Sequence, residues 1–187
     1  MSAAFMHDLA HLEVCLRNAY DAAITATRPA GALHWLDDPH GPIRAPLLRT
    51  KRLTSGTRVR VDVNRKPREL VERARRQCGA SAPVGKVIAE LQLGFWRYLT
   101  SSAHEKTLWV PHLHTAFPAG TRRVVVDRTI GELHLLRNRV AHHEPLLALP
   151  IAARSADVAR LCALLVPELC QHLNAVTQVP ALLAARP

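Results

Sequence analysis

The sequence predicts an all-α fold, and three observations support this class. Hydrophobic residues make up 48% of the 187-residue chain and aromatic residues only 4%, so aliphatic side chains must fill most of the interior, as is typical of packed helices. Apolar residues recur at steps of three and four through several stretches. Proline and glycine concentrate between those stretches. The length suits a single domain over residues 1–187.

The first 64 residues predict one helix followed by a loop-rich segment. Leucine and alanine at helical spacing predict a helix over residues 3–27. Residues 29–56 contain four prolines and three glycines, which predicts a loop in which Trp35 and Leu36 contact the core. Valine at alternate positions of residues 57–64 indicates a short extended segment. The basic, loop-rich segment therefore covers about residues 29–66.

Two helices are predicted in the middle of the chain. Pro67 suits the first turn of a helix that runs to Gln77, and Gly79 can end it. Pro83 opens the next helix, which the serines at 101 and 102 close. The apolar stripe of this second helix consists of Val84, Ile88, Leu91, Phe95 and Leu99.

The last third of the sequence predicts two longer helices. Thr121 can cap a helix that runs to about His143, and Pro145 disfavours helix at the residue before it. Ser155 can cap a final helix that runs through Leu173. No apolar run is long enough to span a bilayer, so we expect a cytoplasmic protein.

The basic residues are concentrated in one segment. Between Arg44 and Arg76 there are 12 Lys or Arg against three carboxylates, so this segment carries +9 of the formal net charge of +10. Such a block is typical of a surface that binds a polyanion, with nucleic acid as the leading candidate and anionic lipid as the weaker one, because no amphipathic anchor accompanies it; the alternative is a solvated face in an arginine-rich chain. The predicted RNA-binding residues are Arg44, Arg49, Lys51, Arg52, Arg58, Arg60, Arg65, Lys66 and Arg68.

One arginine lies within an apolar helical stripe. Positions 126, 130, 133, 137 and 140 recur at steps of four, three, four and three, and four of them are apolar while the fifth is Arg137. Because a guanidinium is costly to bury alone, this position predicts an anionic partner, either a carboxylate such as Glu144 or the phosphate of a ligand.

The residues after Arg137 suit phosphodiester chemistry. On a regular helix Asn138 shares a face with His142, and Arg139 shares one with His143, but Arg137 and His142 diverge by about 140°. Their convergence on one group therefore needs either a loosened helix end or a second copy of the motif. Histidine can transfer protons near neutral pH, arginine can hold phosphate oxygens, and asparagine can orient either group.

Three sequence blocks resemble one family. Residues 12–19 (LEVCLRNA), 93–96 (LGFW) and 136–145 (LRNRVAHHEP) occur in the order found in the Abi (abortive infection) family, and the last block resembles the HEPN nuclease signature of arginine, a polar residue and a later histidine. One departure is that only about ten residues precede the first block, where the resemblance implies a further helical stretch.

The resemblance implies a HEPN-like helical bundle with a long basic loop insertion, and a metal-independent endoribonuclease in antiphage defence or a toxin system. Carried over by position, Arg137, Asn138 and His142 would be catalytic, and His143, Arg139 and Glu144 auxiliary. Glu13, Arg17, Asn18 and Trp96 match recurrent family positions and are assigned to structural support. The implied partners are RNA, a second copy facing across the motif helix, and a cognate antitoxin.

Other functions remain open from the sequence. The alternative from another class is a non-catalytic helical module that binds RNA or a partner protein, and a DNA-binding regulator ranks last because no helix-turn-helix signature is present. His142 and His143 could also do no more than interact favourably with the dipole at a helix C-terminus. His7 and His11 lie one turn apart, and His112 and His114 flank a leucine, but neither pair has a third ligand in sequence. We therefore predict no metal and no cofactor.

Overall fold

The computed structural model describes residues 1–79, 81–146 and 148–185. Helices account for 63% of these residues and strands for 5%, which confirms the all-α class. The longer helices are α1 (Ser2–Ala26), α2 (Arg65–Cys78), α3 (Val84–Glu90), α4 (Leu93–Thr100), α5 (Arg123–Ala141), α6 (Ile151–Leu165), α7 (Pro167–Val176) and α8 (Val179–Ala184). Short 3₁₀ and π turns connect α4 to α5.

Helix α1 forms the centre of the bundle and packs against α4, α5 and α6. Its Phe5, Leu12 and Leu16 are fully buried. Both Trp35 and Leu36 are also fully buried, as predicted. Each buried aliphatic or aromatic side chain contributes about 1.5–3 kcal/mol to the hydrophobic free energy of folding, so α1 is the element on which the remaining helices assemble.

The segment predicted as loop contains a strand. Strands β1 (Leu48–Arg52) and β2 (Arg58–Asp62) form an antiparallel hairpin. The extended segment predicted over residues 57–64 is thus confirmed, whereas the loop prediction is wrong for residues 48–52. In β1, Leu48 and Thr50 alternate with Arg49 and Lys51. Because basic side chains have long aliphatic stems, this alternation does not stand out as an apolar–polar pattern in the sequence.

Helix α2 agrees with its prediction, but the helix predicted to start at Pro83 is broken. Leu91 and Gln92 adopt extended backbone angles and separate α3 from α4. One contact spans the break: the indole Nε1 of Trp96 donates to the Leu91 carbonyl oxygen at 3.0 Å. Periodicity alone does not predict this contact.

The motif helix α5 keeps its predicted apolar face but not its predicted ends. Thr121 is not its cap, because the hydroxyl donates to the Pro118 carbonyl oxygen at 2.7 Å and the helix begins at Arg123. The helix ends at Ala141, two residues before the predicted end. Its stripe is confirmed, since the apolar members are at most 4% exposed: Val126, Ile130, Leu133 and Val140.

The predicted final helix is divided in two. Ser155 lies inside α6 and is not its cap. Val166 is extended, with φ −149° and ψ 96°, because the ring of Pro167 disfavours helical angles at the residue before it. Pro167 then opens α7, where a missing N–H has no consequence. Among the described helices, none is long and apolar enough to cross a membrane.

Candidate functional site

A cavity of about 660 Å³ lies between α2, α4 and α5, within the range of ~300–1,000 Å³ that is typical of ligand sites. Two residues predicted as catalytic, Arg137 and Asn138, line it. The other polar and charged lining residues are Lys66, Arg73, Gln77, Glu90, Gln92, Arg97, Tyr98, Ser101, Ser102, Asp127 and His134. The motif helix therefore supplies one wall of this cavity.

Arg137 is half-buried at the edge of the apolar stripe and opens into this cavity. Within the described ranges it forms no ion pair, so the predicted alternative of an Arg137–Glu144 pair is wrong. The carboxylate that feels its charge is Glu13: burial raises the pKa of Glu13, and the hydrogen bond from Leu93 and the positive charge of Arg137 oppose that rise. The guanidinium thus has a carboxylate nearby but remains available to a ligand.

His134 is the imidazole that shares the cavity with Arg137 and Asn138. Its Nε2 lies 2.9 Å from the position that a Cβ on Gly94 would occupy, so the ring rests on the bare backbone of α4. Its Nδ1 is buried and has no hydrogen-bond partner in the described part of the chain. Burial lowers the pKa of His134, and the positive charges of Arg97 and Arg137 lower it further, so these surroundings favour the neutral ring.

Cationic side chains outnumber carboxylates in the cavity wall. Lys66, Arg73, Arg97 and Arg137 line it together with only two acidic residues. One of those two, Asp127, already accepts from Arg123 at 2.9 Å. Three of the cations, Arg73, Arg97 and Arg137, form no ion pair with any residue that the structure describes. An anionic ligand would therefore find guanidinium groups whose charge is not already neutralised.

A second close approach of α4 and α5 positions one of these cations. The guanidinium Nε of Arg97 lies 3.4 Å from the position of a Cβ on Gly131. Gly131 is itself buried in α5. The two glycines, Gly94 on α4 and Gly131 on α5, thus let a polar side chain of the other helix lie flat against the backbone.

His142 and His143 lie away from the cavity wall, at the end of α5. His142 is the C-cap residue, and His143 has a left-handed φ of 57°. The N–H of His143 donates to the Val140 carbonyl oxygen at 3.2 Å, and that of Glu144 donates to the Arg139 carbonyl oxygen at 2.8 Å. These two bonds form a Schellman motif, in which the left-handed position is usually glycine.

The three residues predicted as auxiliary, Arg139, His143 and Glu144, stabilise the C-terminal end of α5. The Arg139 guanidinium Nε lies 3.7 Å from a carboxylate oxygen of Glu144, and its Nη1 donates to the Pro145 carbonyl oxygen at 3.3 Å. Arg139, His143 and Glu144 therefore have a structural role in closing α5. The side chain of His142 is exposed, so within a single chain the structure does not bring His142 together with Arg137.

The nine predicted RNA-binding residues separate into two groups. Five have protein partners. Arg44 pairs with Glu72 at 2.9 Å, Arg65 with Glu69 at 2.9 Å, and Arg68 with Asp62, while Arg49 donates twice to the Ala103 carbonyl oxygen at 3.1 and 3.2 Å. Lys66 lies 3.9 Å from Glu69 and also lines the cavity. The remaining basic side chains are exposed on the hairpin: Lys51, Arg52, Arg58 and Arg60.

We call Lys51, Arg52, Arg58 and Arg60 the hairpin patch. Arg52 lies directly opposite Arg58 in the register, and Arg60 lies two residues further along the same face. Like charges at opposed positions repel each other, and no carboxylate of the described chain pairs with them. The hairpin is fixed beside the cavity by Arg49, since its acceptor residue Ala103 follows the lining residue Ser102.

Histidines also meet at the far end of α1. His7 and His11 approach to 3.3 Å between their Nε2 atoms, and the ring of His172 lies 5.6 Å from that of His11. His172 is the neighbour that the sequence did not reveal. Within the described ranges, however, no three His, Cys, Asp or Glu side chains are placed to hold a metal ion.

The sequence analysis missed His134, Arg73, Arg97 and Tyr98 of the cavity. A signal for His134 was present, because it precedes Asn138 by one helical turn, just as His142 follows it by one turn. The other three lie on α2 and α4, and only the packing of those helices brings them to α5. Phe95 and Trp96 are core residues, at 1% and 0% exposure, as expected.

Comparisons of the chain with protein-family models, with curated proteins and with solved structures find no match.

Proposed function

We propose that this protein is a metal-independent endoribonuclease of the Abi-like HEPN type, and that the cavity beside α5 binds the scissile phosphodiester. The observation that supports this most is the position of Arg137: it lines an open cavity with Asn138 and an imidazole, and makes no ion pair among the described residues. A guanidinium placed in this way fits a phosphate, because its planar fork matches two phosphate oxygens.

The proposed reaction is transesterification within RNA. A base takes the proton of the ribose 2′-hydroxyl, the 2′-oxygen bonds to phosphorus, and the bond from phosphorus to the 5′-oxygen breaks. The 5′-oxygen leaves with a proton, which gives a 2′,3′-cyclic phosphate and a 5′-hydroxyl. Arg137 would stabilise the charge on the phosphate oxygens, Asn138 would orient the phosphate, and His142 would give the proton to the 5′-oxygen.

A second copy of the chain would supply His142 in this proposal. An exposed face of α5 carries Val124 and Leu135, which are 52% and 56% exposed, and His142 continues the same face at 100° per residue. Asn138 lies about 40° from that direction and also lines the cavity. Two copies packed with a two-fold axis near residue 140 of this face would place one copy's His142 beside the other's Asn138.

The hairpin patch would guide the RNA backbone towards the cavity. The hairpin that carries it is held by Arg49 against Ala103, the residue after the lining residue Ser102, and a basic surface of this kind binds phosphates without reading sequence. The proposal extends to a cytoplasmic role in antiphage defence or a toxin system, restrained by a cognate antitoxin.

The alternative function is a non-catalytic helical module that binds RNA or a protein partner. It is favoured by the position of His142, which does not line the cavity of its own chain and belongs to a closed helix end. In that function the motif residues serve only to pack the two copies of the chain against each other.

Turnover of RNA and of DNA of the same sequence separates the two functions, because only RNA carries the attacking 2′-hydroxyl. The nuclease should cut the RNA in the presence of EDTA, leave the DNA intact and lose activity in H142A, which should still form a dimer. Salt-sensitive retention of RNA without any product would instead support the binding module.

A further inference from the structure

We infer that His134 is the general base of this reaction and acts in the same chain as Arg137. This inference rests on the proposed function and goes beyond it, because the motif names only His142 for proton transfer. Base and acid would then come from different histidines: His134 from the chain that holds the phosphate, and His142 from the second copy.

The geometry of the cavity carries the inference. His134 and Asn138 are one turn apart on α5, Arg137 lies between them in sequence, and all three line the same cavity. The Nε2 of His134 lies over Gly94, which also lines the cavity. The ring is therefore the imidazole that a phosphate on Arg137 would meet within one chain.

The hydrogen bonding of the ring leaves it free to react. A structural histidine in a helix interface is normally satisfied by protein groups, but Nδ1 of His134 has no partner among the described residues. With no acceptor to fix its tautomer, the ring can place its one proton on Nδ1 and present the Nε2 lone pair to a 2′-hydroxyl.

The charges around the ring favour its neutral form, which a base requires. The charged groups that line the cavity with it are Arg97 of α4, Arg73 and Lys66 of α2, Glu90 of α3, and Arg137 and Asp127 of α5. Burial is the first cause that lowers the pKa of His134, followed by the charges of Arg97 and Arg137. The acidic limb of the rate profile should therefore have its midpoint below 6.5.

The proton balance of the step is complete without a co-reactant. The 2′-hydroxyl proton moves to Nε2 of His134 as the 2′-oxygen bonds to phosphorus, and the 5′-oxygen takes a proton from His142 of the second copy. His134 then releases its proton to water and His142 regains one. The net reaction is the isomerisation of one linkage into a cyclic phosphate and an alcohol.

The test compares H134Q, H142Q and the control H172Q on two substrates. One substrate is a short RNA with an ordinary linkage, and the other carries sulfur in place of the bridging 5′-oxygen at one site. A thiolate leaves without protonation, so this linkage needs a base but no acid. Binding of an uncleavable 2′-O-methyl RNA and thermal unfolding show whether each variant keeps its fold and its cavity.

H134Q should cut both substrates 10²–10⁴-fold more slowly than the wild type and should lack the acidic limb of the pH profile. H142Q should recover near wild-type rates on the sulfur linkage only, and H172Q should match the wild type throughout.

An H134Q variant that cuts at the wild-type rate, or keeps the acidic limb, overturns the inference and leaves the proposed nuclease standing. Should H134Q fail to fold, G94A gives the same test, because it displaces the ring without removing it. A wild-type chain that cuts no RNA overturns both proposals.

Discussion

The Nε2 of His134 lies 2.9 Å from where a Cβ on Gly94 would be. Real side chains do not approach that closely, so the imidazole occupies the space that glycine leaves on α4. Because the contacting atom is at the far end of a side chain, a small residue at position 94 would move the ring rather than separate the helices. Gly94 therefore sets where the imidazole lies in the cavity.

Replacement of Gly94 by alanine should separate activity from stability. The added methyl group should displace the His134 ring, while the gain in helix propensity of about 0.5–1 kcal/mol offsets part of the crowding. We expect an unfolding temperature close to that of the wild type and RNA cleavage at least tenfold slower. Circular dichroism melting measures the unfolding temperature, and single-turnover cleavage measures the rate. Full activity in a folded G94A variant would contradict the role of this contact.

The hairpin patch should determine how RNA binding depends on salt. In the double variant R52Q/R58Q two opposed charges are lost, so the slope of log K against log salt should become shallower by about 0.7 for each charge that contacts a phosphate of single-stranded RNA. R160Q, on the exposed surface of α6, is the matched control and should keep the wild-type slope. Equal slopes for all three proteins would exclude the patch from the RNA path.

The left-handed residue at the end of α5 should limit stability. His143 has φ 57° at the position where glycine usually completes a Schellman motif, and this conformation costs a non-glycine residue about 1 kcal/mol or more. H143G should therefore raise the free energy of unfolding by about 1 kcal/mol, as measured by urea denaturation. A destabilised H143G would mean that the imidazole makes contacts that outweigh the backbone strain.

Folding stability should decrease in mild acid because of His104. This residue is 1% exposed, and its Nε2 lies 2.8 Å from Oδ1 of Asn64, whose amide nitrogen donates to the Pro42 and Ala45 carbonyl oxygens. Burial, and then the charge of Arg49, lower the pKa of His104, although a backbone hydrogen bond at Tyr98 opposes the shift. The neutral ring thus links the hairpin region to the turn after α4.

The direction of this pH dependence follows from proton uptake by the unfolded chain. Below about pH 6.5 the unfolded chain binds a proton at position 104 that the folded chain does not, so the free energy of unfolding falls as the pH drops towards the lower folded pKa. Between pH 7.5 and 5.5 the wild type should lose more stability than H104Q, although H104Q is less stable overall. Parallel losses in urea titrations of the two proteins would show that His104 does not contribute.

Local sequence signals predicted the helices well but not their ends or their meeting points. The apolar stripe of α5 and the buried pair Trp35 and Leu36 follow from spacing and from the need to cover apolar surface. The break at Leu91 and Gln92 does not, because the apolar stripe continues through it and the contact that spans it, from Trp96 Nε1 to the Leu91 carbonyl oxygen, forms only in the packed structure.

The candidate site was likewise predictable from the sequence only in part. Arg137 and Asn138 are found from the motif, and the cavity wall that they share with Arg97 depends on how α4 crosses α5. Helix periodicity gives the direction of a side chain, but it does not reveal which side chain of another helix will face it. His134 is the exception, because its one-turn spacing from Asn138 is visible in the sequence.

The most direct test of the central claim is cleavage of a labelled single-stranded RNA in EDTA by the wild type and by R137Q, which keeps much of the length of the side chain but not its charge. We predict that the wild type forms a product with a 2′,3′-cyclic phosphate and that R137Q, folded as well as the wild type, forms it at least 10²-fold more slowly. Cleavage by R137Q at the wild-type rate, or no cleavage by the wild type, would contradict the assignment of this cavity as the site of RNA cleavage.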